Sequence, residues 1–380
     1  MAKVSILRCE SYDREKVEAV MKQLLDSVGA DKLENRKILL KPNILYAEVP
    51  EKAVTTHPEV LRATIRYLQA RGNSIFVGDS PAFHNHIAAG NKSGLKSVTE
   101  ECGAVWCDFT KVEMFQVPEG KLVKSFLLAD VLKEVDVVFS MAKMKTHMLM
   151  YYTGAMKNLF GLVPGLSKSG FHLRFPEIDN FAQMIVDLNL AVKAQFAVMD
   201  GITAMEGPGP GGGTPREVGL LMASDNLPAI DIATSSIMTY DPMKIPILKL
   251  AVDCGYWLKD MKEITYPFLK AEDLVIKDYE IMTKLKDNSL YRNYMPGFMV
   301  SLIQYLTVKK PVFNENCVVC GECVKICPAK ALSVKNGKIA INHRVCIKCY
   351  CCHEICAKKA IDLKAILKKR KKRKTSKSSS

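Results

Sequence analysis

Eight cysteines near the C-terminal end constrain this chain more than any other feature. Cys317, Cys320, Cys323 and Cys327 spell C-x2-C-x2-C-x3-C, followed by Pro328, and Cys346, Cys349, Cys352 and Cys356 spell it again 29 residues later. A disulfide framework belongs to small chains in oxidising compartments, and this chain has 380 residues. Zinc sites pair their cysteines across longer gaps and do not repeat four at this spacing. Three thiolates at two-residue gaps instead wrap one corner of an iron–sulfur cube. The fourth, three residues on, sits on a short helical turn aimed away from that corner.

Bacterial two-cluster ferredoxins cross their ligands in this way, the fourth cysteine of each run serving the other cluster. The spacing therefore predicts two [4Fe-4S] clusters. Cys317, Cys320, Cys323 and Cys356 are expected to hold one, and Cys346, Cys349, Cys352 and Cys327 the other. The five remaining cysteines (Cys9, Cys102, Cys107, Cys254 and Cys351) are scattered and read as free thiols, with Cys351 a bystander inside the second run.

The formal net charge is +14, but nine Lys and Arg and no acid fall between Lys364 and Ser380, so the body is only mildly basic. The basic tail is expected to be disordered. It offers charge without aromatic partners, which suits an acidic partner better than specific nucleic-acid recognition. No apolar run reaches the roughly 18 residues of a spanning helix. The first residues read as a strand and not as a cleavable leader. The expectation is a cytoplasmic protein with no transmembrane segment.

Before the cysteines the pattern alternates strand and helix. Val4 to Leu7 is apolar, and Asp13 to Val28 carries Val17, Val20, Met21, Leu24 and Leu25 at helical spacing. Ile38–Leu40, Ile75–Val77, Ala104–Cys107, Val135–Phe139, Phe196–Met199 and Val218–Met222 read as strands. Helices are expected after Pro58, over 95–102, 178–192 and 228–238, and at 245–257 and 298–306. Residues 83–94 read as a loop. Near-continuous apolar strands with intervening helices predict an α/β fold, a mostly parallel sheet with helices on both faces. A small C-terminal α+β ferredoxin-like domain follows, with an Asn336-Gly337 hairpin turn. The expected division is 1–270 for the α/β domain, 271–310 for a helical bridge, 311–363 for the two-cluster domain and 364–380 for the tail.

Polar residues cluster where strands end. Lys41 and Asn43 follow one strand, Asp79 and Ser80 another, Lys143, Lys145 and His147 a third, and Asp200 a fourth. Ligands of open α/β sheets bind outside the carboxyl ends of strands. Lys41, Asn43, Lys143 and Lys157 are candidates to bind an anionic substrate, and Lys145, His147, Asp79 and Asp200 to act on it. His147 and His172 lie near basic residues that would lower their pKa. His57 precedes a helix-opening proline and reads as a local cap, while His84 and His86 read as solvated loop residues. The glycine run from Gly207 to Gly213 lacks both phosphate-loop and dinucleotide spacing. A flap over the strand ends and a plain loop are both open.

Several stretches carry a family resemblance: Leu39 to Asn43, Val77 to Pro81, Lys143 to His147, Thr153 to Gly161, Asp200 to Gly207 and Gly213 to Arg216. Together they resemble the family of domains of unknown function numbered 362, over roughly residues 3–270. The resemblance implies an iron–sulfur protein with a ferredoxin module at its C-terminus. One departure is Ala357, where a proline often follows the last cluster cysteine. The leading expectation is an iron–sulfur oxidoreductase passing single electrons to or from an anionic substrate, or a redox partner protein, at the strand ends. An electron carrier whose large domain docks partners and a scaffold with structural clusters are the alternatives.

Overall fold

The computed structural model describes residues 1–81, 85–165, 167–282 and 310–364. The chain opens with strand β1 (Ala2–Arg8) and helix α1 (Arg14–Ser27), whose first turn Asp13 caps by accepting the Lys16 N–H at 3.1 Å. Strand β2 (Lys37–Pro42), helix α2 (Pro58–Gln69) and strand β3 (Ser74–Val77) follow. Then come α3 (His86–Lys92), α4 (Leu95–Glu101), β4 (Val105–Trp106) and a hairpin of β5 (Val112–Gln116) and β6 (Ser125–Ala129). The helix at 86–92 falls where the composition suggests a loop, because Asn85 caps it by accepting the Ile87 N–H. His84 lies outside the described residues.

Strand β7 (Val137–His147) runs well past Phe139 and turns back through β8 (Tyr151–Thr153). Short helix α5 (Ala155–Asn158), α6 (Ser167–Arg174) and α7 (Ile178–Val192) lead to β9 (Phe196–Glu206) and β10 (Thr214–Ser224). Helices α8 (Leu227–Ile237) and α9 (Pro246–Cys254) and strand β11 (Ile264–Thr265) complete the module. The nine-stranded sheet has the order β11-β1-β10-β9-β7-β2-β3-β4, with β8 on β7. It is mostly parallel, β10 being antiparallel to both its neighbours.

Alternation along the central strands gives the sheet two buried faces. Leu39, Ala142 and Met144 join one core with Ile185, Leu188 and Ile230 from α7 and α8. Ile38, Leu40, Phe139 and Met141 join the other, with Leu24, Leu61 and Ile65 from α1 and α2. Strands β3 and β4 lie to one side of β2, whereas β7 and β9 lie to the other. The winding reverses between β2 and β7, which is where open α/β sheets leave a crevice at their carboxyl ends.

Residues 271–282, expected to begin a bridge, lie on the α/β module: Tyr279 is buried and its hydroxyl donates to Met205 O at 3.0 Å. The rest of the expected bridge, 283–309, including the helix expected at 298–306, lies outside the described residues, as does 365–380. In the C-terminal module β12 (Lys310–Phe313) pairs antiparallel with β15 (Ile361–Lys364). Between them are helix α10 (Glu322–Ile326), the hairpin β13 (Leu332–Lys335) and β14 (Lys338–Ile341), and helix α11 (Cys351–Ile355). Asn336 and Gly337 make the tight hairpin turn at φ 49° and 67°. The modules share a third core in which Tyr46, Val54 and Met205 meet Ile326, Cys351 and Ile355.

Candidate functional site

Two of the strand-end lysines are locked in buried ion pairs. Lys41 Nζ lies 2.9 Å from Asp79 Oδ1 and donates to Asn158 Oδ1 at 2.9 Å and Pro42 O at 2.8 Å. Asp79 is held in turn by the Ile44 and Ser80 N–H groups. Gly161 is required beside this pair, since a Cβ there would sit 2.0 Å from Asp79 Oδ1. Lys143 Nζ lies 2.9 Å from Asp200 Oδ2 and 2.8 Å from the Tyr12 hydroxyl. Asp200 also accepts from Tyr12 and from the His57 N–H, both at 2.9 Å, and the Tyr12 ring stacks on His57 at 3.5 Å. His57 caps α2 by accepting the Glu59 N–H at 3.2 Å.

Lys145 and Lys157 differ. Lys145 Nζ donates to Asn43 Oδ1 and Val54 O, each at 2.6 Å, and among the described residues it has no carboxylate partner. Burial holds its pKa well below the usual lysine value, and the neighbouring Lys157 and Lys143 lower it further. Lys157 is half-buried and also lowered, by burial first, against the attraction of Glu354. A pocket of about 40 Å³ joins these side chains, lined by Asn43, Lys143, Lys145, Lys157, Asn158 and Pro210. It lies at the β2/β7 reversal. Lys145 and Lys157 thus face the pocket with Asn43 and without a bonded carboxylate among the described residues, while Lys41 is paired with Asp79 and Lys143 with Asp200.

His147 ends β7 fully buried. Its Nδ1 accepts the Leu149 and Met150 N–H groups at 3.0 and 3.2 Å, which leaves the ring proton on Nε2. Nε2 faces Glu354 Oε1 of α11 at 3.5 Å, and neither atom has another hydrogen-bond partner among the described residues. Burial, then Lys157, holds the imidazole well below its ordinary pKa, so it is neutral and presents one N–H. His172, the other imidazole candidate, lies apart in α6, stacked on Phe181 at 4.4 Å and pushed down to about 3 by burial.

The glycine run is a wedge between the modules. Thr146 Oγ1 donates to Gly207 O at 2.7 Å, and a Cβ at Gly209 would meet Thr146 O at 2.1 Å. On its other side Tyr46 donates to Gly211 O at 3.2 Å and Lys359 to Gly213 O at 3.1 Å. Asp231 fixes the opposite wall by accepting the Ala155 and Met156 N–H groups at 2.6 and 2.9 Å and the Tyr152 hydroxyl at 3.2 Å. Residue patterning gave no sign of Tyr12, Asp231 or Glu354. Asn158 stands out in the sequence only as a member of the Thr153–Gly161 stretch.

The cysteines surround two cavities. One is lined by Cys317, Cys320, Cys323 and Cys356, the other by Cys327, Cys346, Cys349 and Cys352. The two runs repeat one backbone course. Val319 and Gly321 in the first, and Lys348 and Tyr350 in the second, take positive φ at matching steps, as do Lys330 and Lys359 after the fourth cysteines. Such left-handed residues turn successive N–H groups inward, a concavity suited to an anionic cluster. Cys327 Sγ and Cys356 Sγ each accept an N–H four residues on, from Ala331 and Ala360, both at 3.2 Å. Thiolates so solvated suit iron–sulfur ligation. Cys351, buried at the start of α11, borders the second cavity.

An α/β module with a cationic pocket, packed against a cysteine-rich module, defines an iron–sulfur fusion protein. The chain belongs to the DUF362 family, a domain of unknown function whose profile matches residues 38–236. A 4Fe-4S binding-domain profile matches residues 310–333, which span the first cysteine run. The chain is 31% identical over 284 residues to the thylakoid-associated protein sll1697 of Synechocystis sp., covering 73% of this chain and 87% of that one. Among solved structures, the lactate racemase apoprotein of Thermoanaerobacterium thermosaccharolyticum aligns over 52% of this chain and 49% of its own, with TM-score 0.34 and 13% identity. The 4Fe-4S match gives the C-terminal module an iron–sulfur, electron-transfer character. Among the described residues no helix is long and apolar enough to cross a membrane.

Proposed function

We propose that the protein is an iron–sulfur oxidoreductase that moves single electrons to or from a small anionic substrate at the strand ends of the α/β module. Two [4Fe-4S] clusters, held by Cys317, Cys320, Cys323 and Cys356 and by Cys346, Cys349, Cys352 and Cys327, supply one-electron transfer when bound. Lys145, Lys157 and Asn43 bind the anion. The Lys41–Asp79 and Lys143–Asp200 pairs hold the strand ends in place around it. His147, its Nδ1 committed to two backbone donors, keeps its Nε2–H as a hydrogen-bond donor that steadies nearby negative charge.

One observation carries this reading: α11, which bears Cys352, sets Glu354 3.5 Å from His147. The cysteine-rich module thereby reaches the end of β7, the strand that also carries Lys143 and Lys145. The test is reoxidation of the chemically reduced, anaerobic protein by a panel of small carboxylates and phosphates, followed by stopped-flow absorbance. An active compound should lose its effect in Lys145→Ala and His147→Ala while iron content stays unchanged. The carrier reading draws on the small volume of the strand-end pocket, about 40 Å³. It predicts that both variants transfer electrons to protein acceptors at the wild-type rate and that no small compound accelerates reoxidation.

A further inference from the structure

A second cavity, of about 80 Å³, lies between the modules. Roughly 10–15 Å³ of such space admits one water, so this one has room for a molecule of about five or six heavy atoms. Lys157, Lys168 and His172 line it on one side, Leu45, Phe160 and Ile355 on others, and Glu354 and Cys351 of α11 close it.

Its charges are unbalanced. Lys168 is only 9% exposed and donates to Ser80 O, which uses one of its three N–H groups. Among the described residues Lys157 Nζ has neither a hydrogen-bond nor an ion-pair partner. Two lysine amines therefore share the cavity with one carboxylate, Glu354, and the buried His172 is neutral. The lining thus carries more basic than acidic side chains. Buried charge is tolerated when paired, so one more negative charge completes the site and two would be repelled by Glu354.

We propose that this cavity binds a small monocarboxylate, its carboxylate between Lys157 and Lys168 and its short apolar body against Leu45, Phe160 and Ile355. Burial pushes the Lys168 pKa down to about 7, a cost that such an anion offsets. The site goes beyond the strand-end reading and stands without it. The two cavities share Lys157 and Leu45, but Lys145 lines only the strand-end pocket and Lys168 only this one.

The test is calorimetric titration of the anaerobic, cluster-loaded protein with butyrate, and with inorganic phosphate for comparison. Saturable butyrate binding is expected, weakened about tenfold or more in Lys168→Met, as loss of a charge-assisted hydrogen bond implies, and unchanged in Lys145→Met. Phosphate should bind more weakly than butyrate. Loss of binding in Lys145→Met but not in Lys168→Met would place the anion in the strand-end pocket, overturning this proposal and leaving the function reading intact. Absence of saturable butyrate binding at millimolar concentration overturns it outright. Should Lys168→Met lose its fold, hydrogen exchange of the wild-type protein decides: butyrate must protect residues 165–172 and 351–355, and no added protection there refutes the site.

Discussion

Four lysines gather at the strand ends, and only Lys41 and Lys143 have a bonded carboxylate partner among the described residues. The distinction should be measurable. Lys143→Met leaves Asp200 buried with its countercharge gone, which should cost about 3–5 kcal/mol in denaturant unfolding of the cluster-loaded protein. Lys145→Met removes a desolvated amine with no carboxylate to strand, and stability should change by only about 1 kcal/mol. It should also alter the pH dependence. The unfolded Lys145 amine keeps its proton up to about 10.5, whereas the folded one sheds it earlier, so the unfolded state binds more protons in that window. Stability should therefore rise with pH below 10.5 in the wild type, and less steeply in Lys145→Met. An equal loss in both lysine variants would contradict the division of roles. Residue types and strand-end positions made this cluster legible in advance. Which lysine meets which carboxylate was not, because the partners are far apart in the chain, as Lys143 and Asp200 are at 57 residues.

At the scale of elements, β7 departs most from the sequence reading. The apolar run suggests a strand ending at Phe139, yet the strand extends to His147 with every residue buried. Lys143, Lys145 and His147 alternate with Met144 and Thr146, a period-2 pattern that charge disguises as a loop. The hint was available in that alternation. Helix α5 places Lys157 and Asn158, and Asp231 of α8 holds its first turn. Asp231→Ala strands three buried donors and should lower stability by about 3 kcal/mol. It should also weaken any ligand of the Lys157 pocket while leaving iron content unchanged. Full ligand affinity in a destabilised Asp231→Ala would show that α5 does not depend on this anchor.

At the scale of the molecule, alternation of strand and helix made the α/β module legible, and cysteine spacing made the second module legible. Their packing was not. Tyr46, Val54, Met205, Ile326 and Ile355 form a shared core from segments that look ordinary apart, and the glycine run became a wedge only once both sides were in place. Cys351 sits in this seam, buried but outside both ligand sets, so Cys351→Ser should keep both clusters, whereas bleaching of either would mean that the second cysteine run is misassigned. The central claim is a two-cluster module with crossed ligands packed against the α/β module. Iron and sulfide analysis with EPR of the reduced protein, wild type beside Cys327→Ser, tests it most directly. The account predicts about eight irons and eight sulfides per wild-type chain and a spin-coupled signal from two [4Fe-4S]⁺ centres. In Cys327→Ser the coupling should disappear, with damage confined to the cluster of Cys346, Cys349 and Cys352. About four irons in the wild type, zinc in place of iron, or damage in Cys327→Ser to the cluster of Cys317, Cys320 and Cys323 would contradict it.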